Sequence, residues 1–161
     1  MRNPSLTPSP TPPGVGSPAH DFALLTQDKG EWRLSEQVRK GDVVLCFFPF
    51  AFTGTCSVEM KCISSEIAAW QAKGAQVVGI SCDSHHVNKA WAQREGYTHV
   101  ILSDLHREVC KAYGFYWADL NVASRGTVVI AKDPQGQGKI KFVQARPPGE
   151  AMEWEQIAAQ I

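Results

Sequence analysis

The fold is decided by the stretch Val43-Val44-Leu45-Cys46-Phe47-Phe48-Pro49-Phe50-Ala51-Phe52-Thr53-Gly54-Thr55-Cys56. Its last residue, Cys56, has the most informative side chain of the chain. The apolar run over residues 43–48 predicts a strand covered on both faces, as in the parallel sheet of an α/β protein. Pro49 ends this strand because proline cannot donate to a sheet ladder. Gly54 permits a tight turn, and the residues after Cys56 have helical composition. Cys56 is therefore expected in the first turn of a helix that follows a buried strand.

A cysteine at the start of a helix is favoured as a nucleophile. The unpaired backbone N–H groups and the helix dipole at that end attract an anion. The thiol of Cys56 is therefore expected to lose its proton more easily than a free thiol, and the thiolate is the form that attacks.

Apolar periodicity and turn residues along the rest of the chain predict alternating strands and helices. Strands are predicted near residues 20–25, 43–48, 76–81, 100–102, 126–131 and 139–144, and helices over 35–40, 57–72, 85–95, 105–113 and 150–160. This order predicts an α/β fold with a central mixed sheet flanked by helices. Functional groups gather beyond the carboxyl ends of parallel strands. If strand 126–131 is antiparallel to strand 43–48, it begins at that edge and brings Arg125 beside Cys56.

The composition fits one globular domain with a tail. The chain has 161 residues, of which 43% are hydrophobic, enough for a real core. Residues 1–16 hold five of the ten prolines and are expected to be a disordered Pro-rich tail, with residues 17–161 as the single domain.

The charge and the cysteine content restrict partners and location. Lys plus Arg and Asp plus Glu number 16 each, so we expect neither nucleic acid nor an anionic membrane as a partner. No apolar run is long enough to span a bilayer, and the tail lacks the apolar core of a secretory signal. A cytoplasmic protein whose five cysteines are thiols is expected.

The spacing Pro49-x-x-x-Thr53-x-x-Cys56 resembles the peroxidatic motif of the peroxiredoxins. The resemblance covers roughly residues 15–150, and its further landmarks are Val77-Val78-Gly79-Ile80-Ser81-Cys82-Asp83-Ser84, Leu102-Ser103-Asp104, Ala112-Tyr113-Gly114 and Ser124-Arg125-Gly126-Thr127-Val128-Val129-Ile130. The loop 51–54 and the segment 146–150 are most similar to the alkyl hydroperoxide reductase E type, and the bacterioferritin-comigratory type stays open as a close alternative. The resemblance implies a thioredoxin-like fold and thiol-dependent reduction of hydrogen peroxide and organic hydroperoxides.

The resemblance also assigns roles to the residues of the motif, and each role has a physical basis. Cys56 attacks one peroxide oxygen and becomes a sulfenic acid. The Thr53 hydroxyl can donate to the thiolate or the peroxide, and Arg125 can hold both because its charge is permanent and its donors are fixed. Pro49 shields the sulfur from water. Glu59, one helical turn on, could bind Arg125 or a second basic group and so support the site.

The route by which oxidised Cys56 is reduced again stays open. Cys62 is the possible resolving cysteine, but in an intact helix it lies about 9 Å along the axis from Cys56 and on another face. A disulfide needs Cα atoms within about 7 Å, so this route requires the helix to unwind. Cys82 is a less favoured resolving cysteine, while Cys46 and Cys110 are expected in the core. Otherwise a low-molecular-weight thiol, a thioredoxin or a glutaredoxin-like protein is the reductant.

No cofactor is predicted, and no metal either, since the cluster of Cys82, Asp83, His85 and His86 matches no closed zinc pattern. A homodimer is expected from the resemblance, with apolar contact from Phe50, Phe52, Phe115, Tyr116 and Trp117. Two other functions stay open. A thiol–disulfide oxidoreductase of the same fold would normally carry C-x-x-C, which residues 56–59 lack. A redox-sensing or chaperone partner without catalysis is the other.

Overall fold

The chain forms nine strands and five helices, and the computed structural model describes every residue from Met1 to Ile161. The strands are β1 (Ala23–Thr26), β2 (Glu31–Arg33), β3 (Val43–Phe47), β4 (Gln76–Ser81), β5 (Val100–Ser103), β6 (Tyr116–Trp117), β7 (Val122–Ala123), β8 (Arg125–Ile130) and β9 (Ile140–Arg146). The helices are α1 (Leu34–Gln37), α2 (Gly54–Ala72), α3 (His85–Glu95), α4 (Glu108–Ala112) and α5 (Trp154–Ala158).

Seven of the strands form one mixed sheet in the order β2-β1-β5-β4-β3-β8-β9, and β6 pairs only with β7. The three central strands β3, β4 and β5 are parallel, whereas β8 is antiparallel to β3. The predicted mixed sheet is therefore confirmed, with β3 in its interior.

Strand β3 and the residue after it supply side chains to both faces of the sheet, which explains the continuous apolar run. Val43, Leu45 and Phe47 join a buried cluster that includes residues of α1 and α4. Val44, Cys46 and Phe48 join a second cluster on the opposite face, with residues of α2, α3 and α5. A strand buried on both faces has no reason to alternate apolar and polar residues.

The predicted elements are largely present, with shifted ends. Helix α2 begins at Gly54, three residues before the predicted start, so Cys56 is its third residue. Helix α3 has the predicted bounds: Ser84 Oγ accepts a hydrogen bond from the Val87 N–H, and Gly96 ends the helix with φ 73°. Helix α4 is shorter than predicted, and Asp104 accepts from backbone N–H groups in it. The two- and three-residue strands β2, β6 and β7 were not predicted.

Residues 1–16, for which the composition predicts a disordered tail, make polar contacts with the domain. Residues 1–16 contain no helix or strand, but the Asn3 side chain exchanges hydrogen bonds of 2.9 and 3.0 Å with the backbone of Ala23. The Ser9 N–H donates to Lys111 O at 2.9 Å, and the Gly16 N–H to Ile140 O at 2.8 Å. Composition predicts disorder from a lack of apolar residues, and it gives no information on such polar contacts with the domain.

None of the helices is both long and apolar enough to cross a membrane.

Candidate active site around Cys56

The sheet brings Cys56 and Arg125 together at one edge. Phe47, the last residue of β3, is paired with Gly126 near the start of antiparallel β8. Arg125 therefore lies beside the loop that leads from β3 into α2. The predicted approach of these two residues is confirmed, although 69 positions separate them in the sequence.

The sulfur of Cys56 is buried and bonded to a guanidinium. Its residue is only 1% exposed, and Arg125 Nη2 lies 3.1 Å from Sγ, within donating distance. Thr53 is the N-cap of α2, but no side chain caps the first turn. The first N–H groups of a helix have no intrahelical partner. The sulfur therefore lies where both a cation and free backbone donors favour negative charge.

Glu59 forms ion pairs with two arginines, one of which, Arg125, also contacts the sulfur. Its carboxylate pairs with Arg125 Nη1 through Oε2 and with Arg146 Nη2 through Oε1, the latter at 3.0 Å. All three side chains are almost fully buried. Two cations and one carboxylate leave one positive charge without a buried partner, and a thiolate at Cys56 would neutralise it. Since an unpaired buried charge is costly, the cluster stabilises an anion placed beside Arg125.

The C-terminal segment completes this ionic cluster of Cys56, Glu59, Arg125 and Arg146. Arg125 Nε donates to Pro148 O at 2.9 Å, and the Met152 N–H donates to Glu59 Oε1 at 2.8 Å. The second basic group considered for Glu59 is Arg146, which the sequence marks only as part of the resemblance at residues 146–150. The register of β9 against β8 is the signal that would identify Arg146, because Arg125 and Arg146 are direct partners in this strand pair.

Thr53 and Pro49 lie on the loop between β3 and α2. The Thr53 hydroxyl is exposed and donates to Phe50 O at 2.9 Å, so in this structure it is not bonded to the sulfur. Pro49 is buried directly after the strand. The Ala51 N–H donates to Asp83 Oδ2 at 2.9 Å, which fastens the loop to the end of β4.

The four remaining cysteines occupy different surroundings, and all five cysteines are free. Cys46 and Cys110 are buried, as predicted. Cys62 lies further along the same continuous helix as Cys56, so the structure does not bring the two thiols together. Burial, together with the carboxylates of Glu66, Glu155 and Glu59, raises the pKa of Cys62. Cys82 belongs to the cluster on the opposite face of the sheet from Cys56, which argues against a direct pairing.

Comparison with known proteins gives one consistent result. The chain matches the AhpC/TSA family over residues 15–142. It is 33% identical over 138 residues to alkyl hydroperoxide reductase E of Mycobacterium tuberculosis, covering 84% of this chain and 88% of that protein.

Two solved structures have the same fold. The peroxidoxin BcpB of Mycobacterium tuberculosis superposes with a TM-score of 0.79 at 27% identity, covering 91% of this chain and 93% of that one. The reduced 2-Cys peroxiredoxin of Plasmodium vivax superposes with a TM-score of 0.80 at 25% identity, covering 91% of this chain and 79% of that one. The predicted thioredoxin-like fold is therefore confirmed.

Proposed function

Because this chain belongs to the AhpC/TSA family, it is a thiol-dependent peroxidase, and we propose that Cys56 is the thiol that attacks the hydroperoxide. The observation that carries this assignment is the hydrogen bond from Arg125 Nη2 to the buried sulfur. The surrounding ionic cluster has two arginines and only one carboxylate, so its net charge without the sulfur is positive. We propose hydrogen peroxide and small organic hydroperoxides as substrates.

The chemistry follows from the positions of the donors. The thiolate attacks one peroxide oxygen, an S–O bond forms, and the O–O bond breaks. Cys56 becomes a sulfenic acid, and the departing oxygen leaves as water or an alcohol after it takes up a proton. Arg125 and the free N–H groups of the first turn of α2 stabilise the charge that develops on that oxygen.

Thr53, Pro49 and Glu59 have supporting roles in this proposal. The Thr53 hydroxyl turns from Phe50 O to the bound peroxide, a movement that one χ1 rotation of an exposed side chain provides. Pro49 shapes the loop and excludes water. Glu59 positions Arg125, since it accepts from that guanidinium without touching the sulfur.

We propose that oxidised Cys56 is reduced by an outside thiol. Cys62 would need the first turns of α2 to unwind. Burial and the nearby carboxylates raise the pKa of its thiol, which makes it a poor attacking group. A low-molecular-weight thiol, a thioredoxin or a glutaredoxin-like protein would supply the electrons. A reducing cytoplasm fits five free cysteines.

A homodimer through the face around the active-site loop is also proposed. Phe52 and Val58 are 47% and 60% exposed beside Cys56, which gives that face apolar area. Phe115, which was expected to contribute, is instead buried against Phe47 at a ring separation of 5.1 Å. The contact would therefore come from the loop, from α2 and from Tyr116 and Trp117, which are half-buried.

The test combines peroxide consumption with intact mass. Wild-type protein and Cys56→Ser are given hydrogen peroxide and a thiol reductant, and only the wild type should consume peroxide rapidly and over many turnovers. After one equivalent of peroxide without reductant, we expect Cys56 to gain one oxygen that a sulfenic-acid reagent traps.

Two outcomes would contradict parts of the proposal. A loss of two hydrogens with a Cys56–Cys62 linked peptide, absent in Cys62→Ser, would establish the two-cysteine route instead. Insulin reduction without peroxide consumption would identify a thiol–disulfide oxidoreductase.

A further inference from the structure

A pair of thiols lies on the face of the sheet opposite Cys56. Cys82 Sγ and Cys110 Sγ are 3.8 Å apart, and the residues are 5% and 0% exposed. A carboxylate oxygen of Asp104 lies within 4.8 Å of both sulfurs. The peroxidase chemistry at Cys56 uses none of these three residues.

The backbone around the two cysteines is suited to a small movement. Cys82 lies in the bend that follows β4, and Cys110 lies in the five-residue helix α4. A disulfide requires the sulfurs to close to about 2.05 Å. Because one partner is outside regular structure and the other is in a single helical turn, neither a core strand nor a long helix must shift.

Asp104 is placed to handle the proton of Cys110. Its Oδ2 accepts from the Cys110 N–H at 2.8 Å, which keeps the carboxylate beside that residue. Burial raises the pKa of Asp104, against the opposing effect of the backbone donors of Cys110 and Val109. The hydrogen bond to Cys82, burial and the nearby carboxylate also raise the pKa of Cys110. Cys110 therefore needs a base in order to react, and Asp104 is the carboxylate beside it.

We propose that Cys82 and Cys110 form an internal redox pair, separate from Cys56, that closes to a disulfide under excess hydroperoxide. Asp104 acts as the base for Cys110. Cys82, the more exposed of the two, reacts first. Its sulfur attacks one oxygen of the hydroperoxide, an S–O bond forms, and the O–O bond breaks. The proton of the Cys82 thiol passes to the departing oxygen, which leaves as an alcohol, or as water when the substrate is hydrogen peroxide.

The second step closes the pair. Cys110 Sγ attacks Cys82 Sγ, the S–S bond forms, and the S–O bond breaks. Asp104 takes the proton of Cys110 and passes it to the departing hydroxide, which leaves as water. Overall, two thiols and one hydroperoxide give one disulfide, one alcohol and one water, and the two electrons lost by sulfur reduce the O–O bond.

The test removes the active-site thiol so that Cys56 cannot contribute. Reduced Cys56→Ser protein is treated with excess hydrogen peroxide, alkylated while it unfolds, and digested without reductant. We expect a peptide linking Cys82 to Cys110 with the loss of two hydrogens. Cys46, buried on the other face, is the internal control and should be recovered as an alkylated thiol.

Variants of the pair separate the two steps. When Cys110→Ala is combined with Cys56→Ser, the Cys82–Cys110 linked peptide should disappear. Cys82 should then gain one oxygen that a sulfenic-acid reagent traps. With Asp104→Asn, that sulfenic acid should accumulate and the link should form more slowly; linkage at the wild-type rate would remove Asp104 from the scheme.

The proposal is overturned if Cys82 and Cys110 are both recovered as free thiols from wild-type protein treated with the same excess of hydrogen peroxide, while Cys56 in that sample is fully oxidised. That comparison needs no variant of the buried pair, so a folding failure of a variant cannot obscure it. Oxidation of Cys56 in the same wild-type sample reports separately on the peroxidase proposal.

Discussion

Replacing Arg125 by alanine should remove most of the rate of peroxide reduction and leave the fold intact. The side chain makes three contacts, with Cys56 Sγ, Glu59 and Pro148 O, and only the first reaches the reacting atom. Losing one preorganised donor to a transition state costs about 2.7–4 kcal/mol, which is a decrease of about 10²–10³-fold in rate. Glu59 keeps its bonds to Arg146 and to the Met152 N–H, so the carboxylate is not left unpaired.

The assay is the second-order rate constant for sulfenic acid formation at Cys56, from quenched samples analysed by mass spectrometry. Circular dichroism of the same samples reports on the fold. Arg125→Lys is the matched variant: it keeps the charge but cannot reach all three acceptors, so its rate should lie between those of wild type and Arg125→Ala. A folded Arg125→Ala protein that is oxidised at the wild-type rate would refute the role given to this residue.

Three further predictions concern other groups. Thr53→Val should slow oxidation of Cys56 by about tenfold, the value of one lost hydrogen bond, while Thr53→Ser keeps the hydroxyl and most of the rate; equal rates in the two variants would exclude a role for the hydroxyl. Glu59→Gln leaves two buried cations without a carboxylate and should lower the free energy of unfolding in urea by about 3–5 kcal/mol. Burial lowers the pKa of His99 to about 3, so the folded state holds this histidine neutral and stability is lost as the pH falls below the usual value of 6.5. Between pH 7 and pH 5 the free energy of unfolding should fall by about 2 kcal/mol from this group, a decrease that should be absent in His99→Gln.

The parts of the fold that could be predicted are those fixed by strong local patterns. The buried run of β3 and the capped ends of α3 at Ser84 and Gly96 are set by nearby residues, and their positions were predicted to within a residue. The short strands β2, β6 and β7 could not be predicted because two or three residues carry too little periodicity. Their pairing depends on partners elsewhere in the chain.

The candidate site was predictable where a motif and the sheet topology agree. Cys56 and Arg125 were brought together by the antiparallel direction of β8. A second basic group on Glu59 was expected as one alternative, but Arg146 was not identified as that group, because this depends on the register of β9 against β8, which sequence periodicity alone does not give. The approach of Cys82 and Cys110 depends likewise on how α4 packs on the sheet.

The contacts of Pro148 and Met152 with Arg125 and Glu59 also bear on biosynthesis. During translation Cys56 is made well before Pro148 and Met152, the residues that complete its surroundings. A growing chain therefore contains the nucleophile long before Arg125 and Glu59 can be held in place. The sulfur acquires these surroundings only after Met152 has been synthesised, so we expect Cys56 to react less readily with peroxide in a growing chain than in the folded protein.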